Sequence, residues 1–295
     1  MADPHTRVTA AILRQLEGAD PATWVCPWHR ATGGLPRNAL TGRTYRGVNT
    51  LALWFAGQER GYADARWATY RQWAERGAQV RRGEQGTTVL FYRDLPPGAA
   101  GLTSRGASAA DADALRFVAR ASTVFNAAQV DGAPELPALP PMPLDPTPAF
   151  DRFVAATGAV IRTGASACYL PARDEIRLPD RAAFRSATGY CGTLAHELVH
   201  WTGAPQRLDR RLSTRFATRA YAAEELVAEL GAAFVLARLD IAPEPHPDHA
   251  AYMAGWLPIL RDDPRALATA ASLASRAAQY LEAFARPATD AGIAA

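Results

Sequence analysis

Several residue types and patterns are scarce in this chain of 295 residues, and each absence excludes a class of protein. The three cysteines, Cys26, Cys168 and Cys191, are too few and too scattered for a disulfide framework or a C-x-x-C zinc site. No apolar run is long enough for a transmembrane helix, and the first residues lack the basic-then-apolar pattern of a secretion signal. We therefore expect a globular protein of the cytoplasm that has no membrane partner.

The chain also contains no lysine, so arginine supplies all of its side-chain positive charge apart from histidine. That charge is concentrated, because residues 24–93 hold eleven arginines and only four acidic residues. The same region contains five of the seven tryptophans. Guanidinium groups can follow phosphates and aromatic rings can stack on bases, so this composition is typical of a surface that binds single-stranded nucleic acid. A small tryptophan-rich core beneath a solvated basic surface has the same composition.

Hydrophobic periodicity and turn residues predict an α+β chain with two domains. The first domain, residues 1–132, has predicted helices at 5–17, 49–57 and 67–77 and predicted strands at 87–92, 115–118 and 122–126, with a flexible insertion at 96–112. Residues 133–148 contain seven prolines and are predicted to be a linker. The second domain, residues 149–288, is predicted to be mainly helical, with a small sheet that includes strand 160–162 and a hairpin of 167–170 and 174–178.

The strongest motif is a helical stretch, Thr193 to Gly203, in which two histidines are four residues apart. On a helix His196 and His200 leave the same face, at a separation that one metal ion can bridge. Catalytic zinc has three protein ligands and one open position, and a neighbouring carboxylate can take a proton from water during attack on a carbonyl. We therefore predict His196 and His200 as Zn²⁺ ligands and Glu197 as the catalytic base. Gly203 is expected in the left-handed conformation that ends a helix.

A second helix, predicted around residues 221–235, supplies candidates for the third ligand. It is apolar around most of its circumference, and buried carboxylates are costly unless they are paired or bound to metal. We assign Glu225 as the third ligand and Glu229 as an outer acceptor for an imidazole N–H. The reverse assignment stays open, and Glu224 is a weaker candidate. The structural alternative is that these glutamates pair with an arginine such as Arg219. Small residues are expected to let the two helices approach closely: Ala228, Gly231 and Ala232.

Two sets of residues together resemble the ArdC-type antirestriction proteins. The N-terminal set comprises the pattern from Asn38 to Asn49, Trp67 with Thr69 and Gln72, the stretch Gly77–Glu84, and Val124-Phe125-Asn126. The C-terminal set comprises His196–Gly203 and Glu224–Glu229. The resemblance implies a single-stranded DNA-binding domain followed by a zincin-like metallopeptidase domain. It also implies a protein of mobile elements such as plasmids, which protects incoming DNA from host restriction.

Together, composition and resemblance suggest nine DNA contacts: Arg43, Tyr45, Arg46, Asn49, Trp67, Arg71, Trp73, Arg81 and Arg82. The leading hypothesis is a zinc peptidase that acts on an unknown protein substrate engaged on DNA, with strand 174–178 holding the peptide by edge pairing. The alternative is a non-catalytic single-stranded DNA-binding protein whose zinc site is structural or vestigial. A metal-dependent nuclease is a weaker hypothesis, because no carboxylate-rich constellation typical of such enzymes is present.

Overall fold

A computed structural model describes residues 4–17, 34–94, 117–135, 145–210, 219–242, 249–263 and 265–285. The predicted insertion at 96–112, most of the predicted linker at 133–148, and Cys26 lie outside these ranges. Among the helices in the described ranges, none has the length and apolarity needed to cross a membrane.

The N-terminal half is an α+β arrangement around a four-stranded sheet. Its elements are, in chain order, α1 (Pro4–Glu17), β1 (Arg37–Asn38), α2 (Val48–Arg60), β2 (Arg66–Ala68), α3 (Tyr70–Glu75), β3 (Gln79–Val80), β4 (Thr87–Asp94), β5 (Phe117–Asn126) and β6 (Val130–Asp131). The strand order is β1-β2-β5-β4, and β3 and β6 form a separate antiparallel pair. The predicted first helix, the helix near 49–57 and the strand at 87–92 are confirmed.

Three predicted elements of this half were wrong in their limits. The predicted helix at 67–77 is a strand followed by a shorter helix, because Trp67 pairs with Asn126 across the sheet. Helix α3 starts only after Thr69, whose hydroxyl accepts from the backbone of Gln72 while the Gln72 side chain accepts from the backbone of Thr69. The two short strands predicted at 115–118 and 122–126 are one ten-residue strand, which pairs along the whole length of β4.

The C-terminal half is mainly helical, as predicted. Its elements are α4 (Thr147–Thr157), β7 (Val160–Thr163), β8 (Cys168–Leu170), β9 (Glu175–Leu178), α5 (Ala187–Thr202), α6 (Arg219–Arg238), α7 (His249–Asp262) and α8 (Ala266–Ala285). The predicted hairpin is present as β8 and β9, which pair antiparallel. Strand β9 lies between β7 and β8, so the prediction that strand 174–178 offers its edge to a peptide was wrong. Its backbone groups already pair with strands on both sides.

One continuous buried core extends through both halves of the protein. The indole of Trp54 in α2 packs on the ring of Phe234 in α6, with 5.6 Å between ring centroids. At the start of α2, the backbone N–H of Gly47 donates to the hydroxyl of Ser275 in α8 at 2.8 Å. The N-terminal half is therefore packed directly against α8 and against α6, the helix that carries Glu225.

Candidate functional site

Helix α5 presents both motif histidines toward the interior of the C-terminal half. The hydroxyl of Ser186 caps its N-terminus by accepting from the backbone N–H of Gly189 at 2.9 Å. Leu194, Leu198 and Trp201 are buried and orient the helix. Gly203 follows the helix with a φ of −77°, so the expected left-handed conformation was wrong.

Helix α6 is buried along most of its length and lies close to α5. A Cβ atom built on Gly231 would lie 2.7 Å from a methyl group of Val199 in α5, which is too close for any real side chain. The expectation that a small residue lets the helices approach is therefore confirmed at Gly231. Ala228 and Ala232 are also buried on this helix. This contact brings the glutamates of α6 close to the histidines of α5.

Three potential ligand atoms converge between the two helices. The Nε2 atoms of His196 and His200 are 3.1 Å apart. Glu225 places one carboxylate oxygen 3.2 Å from Nε2 of His196 and the other 3.6 Å from Nε2 of His200. Ligands about 2.1 Å from a tetrahedral zinc ion are about 3.4 Å from one another, so these separations suit one divalent ion. His196, His200 and Glu225 are also the metal-compatible group found among the described residues.

Each histidine has a second carboxylate on the side away from these atoms. Glu229 lies 3.6 Å from Nδ1 of His196, and Glu224 lies 3.3 Å from Nδ1 of His200. Carboxylates in this position hold the imidazole ring and favour the tautomer whose Nε2 atom is available to a metal. The structure therefore places the Glu225 carboxylate beside both Nε2 atoms. Glu229, predicted as an outer partner, and Glu224, the weaker candidate for the third ligand, both lie on the Nδ1 side of the histidines.

Arg210 completes the surroundings of His200 and was not anticipated from the sequence. Its guanidinium donates to both carboxylate oxygens of Glu224, to the Thr202 hydroxyl at 2.8 Å and to the Val199 carbonyl at 2.6 Å. The structural alternative had named Arg219 as an example of an arginine that could pair with these glutamates. Arg210 lies in a polar loop after α5, and only the tertiary fold brings it to Glu224.

The charge of the cluster favours a cation. Four carboxylates, those of Glu197, Glu224, Glu225 and Glu229, are buried here together with the guanidinium of Arg210. Burial alone would lower the pKa of His196, but the carboxylates of Glu225 and Glu229 outweigh it and raise that pKa. Protons and a metal ion therefore compete for the same imidazole nitrogens. The donor set suits a divalent metal ion, and zinc is consistent with it.

The predicted base, Glu197, is buried beside the histidines, and its charge reaches several neighbours. It contributes to raising the pKa of Cys168 at the start of β8, although burial of that thiol is the larger cause. It also raises the pKa of Tyr221, after the larger contributions of burial and of Glu225, to which the Tyr221 hydroxyl is hydrogen-bonded. Tyr221 was not identified from the sequence, although its position one helical turn before Glu225 was a usable signal. The site thus has a phenol at one side and an edge strand, β8, at another.

The nine suggested DNA contacts separate into two groups. Five arginines are exposed on the N-terminal half: Arg43, Arg46, Arg71, Arg81 and Arg82. The other four have structural partners. Trp67 and Trp73 are buried in two small cores, Tyr45 is buried and donates to the Trp67 carbonyl, and Asn49 bonds both backbone groups of Leu90 at 2.7 Å. Stacking of bases on Tyr45, Trp67 or Trp73 is therefore not available in this conformation, because the rings are enclosed by protein.

Comparison with known proteins agrees with both halves. Residues 2–125 match the family model of the N-terminal domain of anti-restriction factor ArdC, and residues 148–273 match that of a zincin-like metallopeptidase. The crystal structure of the antirestriction protein ArdC from the R388 plasmid, in its Mn(II)-bound form, has a TM-score of 0.77 to this chain at 38% identity. The match covers 96% of this chain and 98% of that one. The chain belongs to the ArdC antirestriction family.

Further similar proteins match nearly the whole of this chain. The metal-free structure of the same R388 protein gives a TM-score of 0.78 over the same share of both chains. An uncharacterized protein of Sinorhizobium fredii, y4eC, is 43% identical over 95% of this chain and 92% of its own length. The DNA primase TraC of Escherichia coli is 37% identical over 95% of this chain, which spans only 27% of that protein.

Proposed function

We propose that this ArdC family member binds single-stranded DNA with its N-terminal half and hydrolyses a peptide bond at a zinc centre formed by His196, His200 and Glu225. In this role it protects incoming plasmid DNA from host restriction. The observation that carries the catalytic part is the convergence of the three ligand atoms beside a buried glutamate, Glu197. The observation that supports DNA binding is the set of exposed arginines on the other half.

The chemistry follows from the positions of the side chains. A divalent ion held by the three residues would supply Lewis acidity to a carbonyl and to water. Glu197 would accept the proton of the attacking water and pass it to the leaving amine. Tyr221 would donate a hydrogen bond within the site, where its hydroxyl now bonds Glu225. An extended peptide would pair with the edge strand β8. Its first residue, Cys168, is close enough for the charge of Glu197 to contribute to the raised pKa of its thiol.

A structural role for the metal is less well supported. R388 ArdC has been solved both with Mn(II) and without metal, and the two structures resemble this chain to nearly the same degree. A site that the fold needed would be expected to differ between these forms. The non-catalytic alternative therefore predicts a binding protein whose metal is dispensable, and it is tested by the same experiment as the proposal.

The experiment compares wild type, Glu197→Gln and the exposed-site control Glu59→Gln. Each is loaded with zinc, and cleavage of fluorescently labelled casein is followed with and without an oligonucleotide. We expect Glu197→Gln to keep its metal and to lose about 100-fold or more of the cleavage rate, because the proton acceptor is gone. Cleavage at wild-type rate by Glu197→Gln would overturn the assigned role. Absence of cleavage by the wild type itself would favour the non-catalytic alternative.

DNA binding is tested through its salt dependence, with labelled oligothymidine and fluorescence anisotropy. Each phosphate neutralised on a single strand contributes about −0.7 to the slope of log affinity against log salt concentration. We expect Arg82→Glu to make the slope shallower by about that amount, and Arg276→Glu, an equal charge change at an exposed position of α8, to leave it unaltered. An affinity of the wild type that does not vary with salt would contradict binding through the arginines.

A further inference from the structure

A depression of about 720 Å³ opens on the N-terminal half, away from the metal site. It lies between the first residue of α3, the β3–β6 pair and the end of β5. Two aromatic side chains, Tyr70 and Phe125, line it together with Gln79 and Arg82. Its size is within the range typical of small-molecule sites, which is ample for a nucleotide.

The aromatic surface in this pocket is accessible, unlike that of the buried tryptophans. Tyr70 is 53% exposed, the largest exposure among the large hydrophobic side chains within the described ranges. Its hydroxyl accepts a hydrogen bond of 2.8 Å from the side-chain amide of Gln79, which restrains the ring. A restrained, solvent-facing ring loses little conformational entropy when a flat partner stacks on it.

The charges of the pocket are mostly neutralised internally. Arg81 pairs with Glu84 at 2.8 Å and approaches Asp131 at 3.6 Å. Hydrogen bonds from Gln129 and Arg81 lower the pKa of Glu84, which keeps this carboxylate ionised. The interior therefore offers donors and acceptors without excess positive charge, which suits the edge of a base better than a phosphate.

Arg82 differs from its neighbour because no ion pair or hydrogen bond joins its side chain to another described residue. It is exposed and lines the same pocket. A guanidinium in this position is available to a phosphate next to a base that occupies the pocket.

We propose that this pocket receives one unstacked base of single-stranded DNA, with the ring of Tyr70 as the stacking surface and Arg82 on the adjacent phosphate. This inference rests on the proposed DNA binding and assigns it a position. In this proposal the exposed ring of Tyr70 has the stacking role that the sequence had suggested for the buried rings. The exposed arginines keep their suggested role as phosphate contacts.

The test uses the full chain and an oligothymidine that carries one 2-aminopurine, whose fluorescence is quenched on stacking. The variants are Tyr70→Ala, Tyr70→Leu, which keeps apolar volume without a flat ring, and Tyr70→Phe, which keeps the ring. Phe91→Ala is the control, because Phe91 is 44% exposed on β4 and does not line the pocket. Thermal unfolding verifies that each variant is folded.

We expect Tyr70→Ala and Tyr70→Leu to bind about 5- to 100-fold more weakly and to lose the protein-induced quenching, with an unchanged salt slope because no charge is removed. Tyr70→Phe and Phe91→Ala should retain both affinity and quenching. Salt-dependent binding with wild-type affinity and quenching in Tyr70→Ala would overturn the pocket and leave DNA binding intact. Failure of the wild type to bind the oligonucleotide at low salt would overturn the proposed function and the pocket with it.

Discussion

The two halves of this protein use polar residues in opposite ways. In the C-terminal half the candidate metal centre is buried, and each of its histidines is flanked by more than one carboxylate. In the N-terminal half the arginines proposed for DNA are exposed, and Arg82 has no partner in the described ranges. The metal centre is therefore preorganised, whereas the basic surface keeps charges available to a flexible polymer. The difference suggests that metal binding depends on individual residues and that DNA affinity is shared among many.

The largest expected effect is the loss of zinc affinity when the charge of Glu225 or of Glu229 is removed. Glu225→Gln removes a carboxylate that faces both Nε2 atoms, so we expect zinc affinity to fall by more than about 100-fold. Glu229→Gln removes only an outer partner of His196, and the expected loss is about 10- to 100-fold. Competition with a zinc-chelating dye measures both. Equal losses in the two variants, or a larger loss for Glu229→Gln, would reverse the assignment.

The second prediction separates buried from exposed aromatics in the DNA-binding half. Trp73 is fully buried, and its indole N–H donates to the Phe125 carbonyl at 3.0 Å. We expect Trp73→Ala to lower the free energy of unfolding by about 3–5 kcal/mol. Tyr70→Ala should change it by less than about 0.5 kcal/mol, since its side chain is mostly in solvent. Urea unfolding measures both values, and a stable Trp73→Ala that has lost only DNA affinity would restore the tryptophan to a contact role.

The smallest expected effect concerns Asp174, in the turn between β8 and β9, which bonds Arg207 in the loop after α5. Asp174 accepts hydrogen bonds from Arg207, Tyr169 and Gln206, and these lower its pKa below the ordinary value of 3.8, with Arg207 as the largest cause and burial opposing it. A carboxylate with a depressed pKa stabilises the fold above its unfolded pKa, and the contribution is lost as pH falls through the folded pKa.

Asp174→Asn is a suitable probe because asparagine also tolerates the positive φ of 49° at this position. We expect wild type to be slightly more stable than the variant at pH 7, and the difference in unfolding midpoint to shrink below about pH 4. Urea midpoints from pH 7 to pH 3 provide the measurement. A difference that grows toward low pH would contradict the role of the ionised carboxylate.

The contrast between the halves also explains what the sequence could and could not predict. His196, Glu197 and His200 were predictable because helical spacing places them together without any long-range information. The choice between Glu225 and Glu229 was left open because both share a helix face, and only the packing of α6 on α5 puts Glu225 at the Nε2 atoms and Glu229 at Nδ1 of His196. Arg210 was missed for the same reason, since its contact with Glu224 exists only in the folded chain.

The DNA-binding half was less predictable because composition does not distinguish a buried ring from an exposed one. Pairing of β2 with β5 encloses Trp67, and the turn of α3 buries Trp73 while leaving Tyr70 in solvent. The domain limits of 1–132 and 149–288 stay a prediction. The continuous core means that experiments on either half are best made in the full chain.

The metal content of the purified protein tests the central claim most directly. Wild type and His196→Ala would be purified without added metal, incubated with zinc, desalted and analysed by elemental mass spectrometry, with circular dichroism as the check of folding. The account predicts one divalent ion per chain in the wild type and almost none in the variant. A folded wild type that retains no metal, or a variant that retains as much as the wild type, would contradict it.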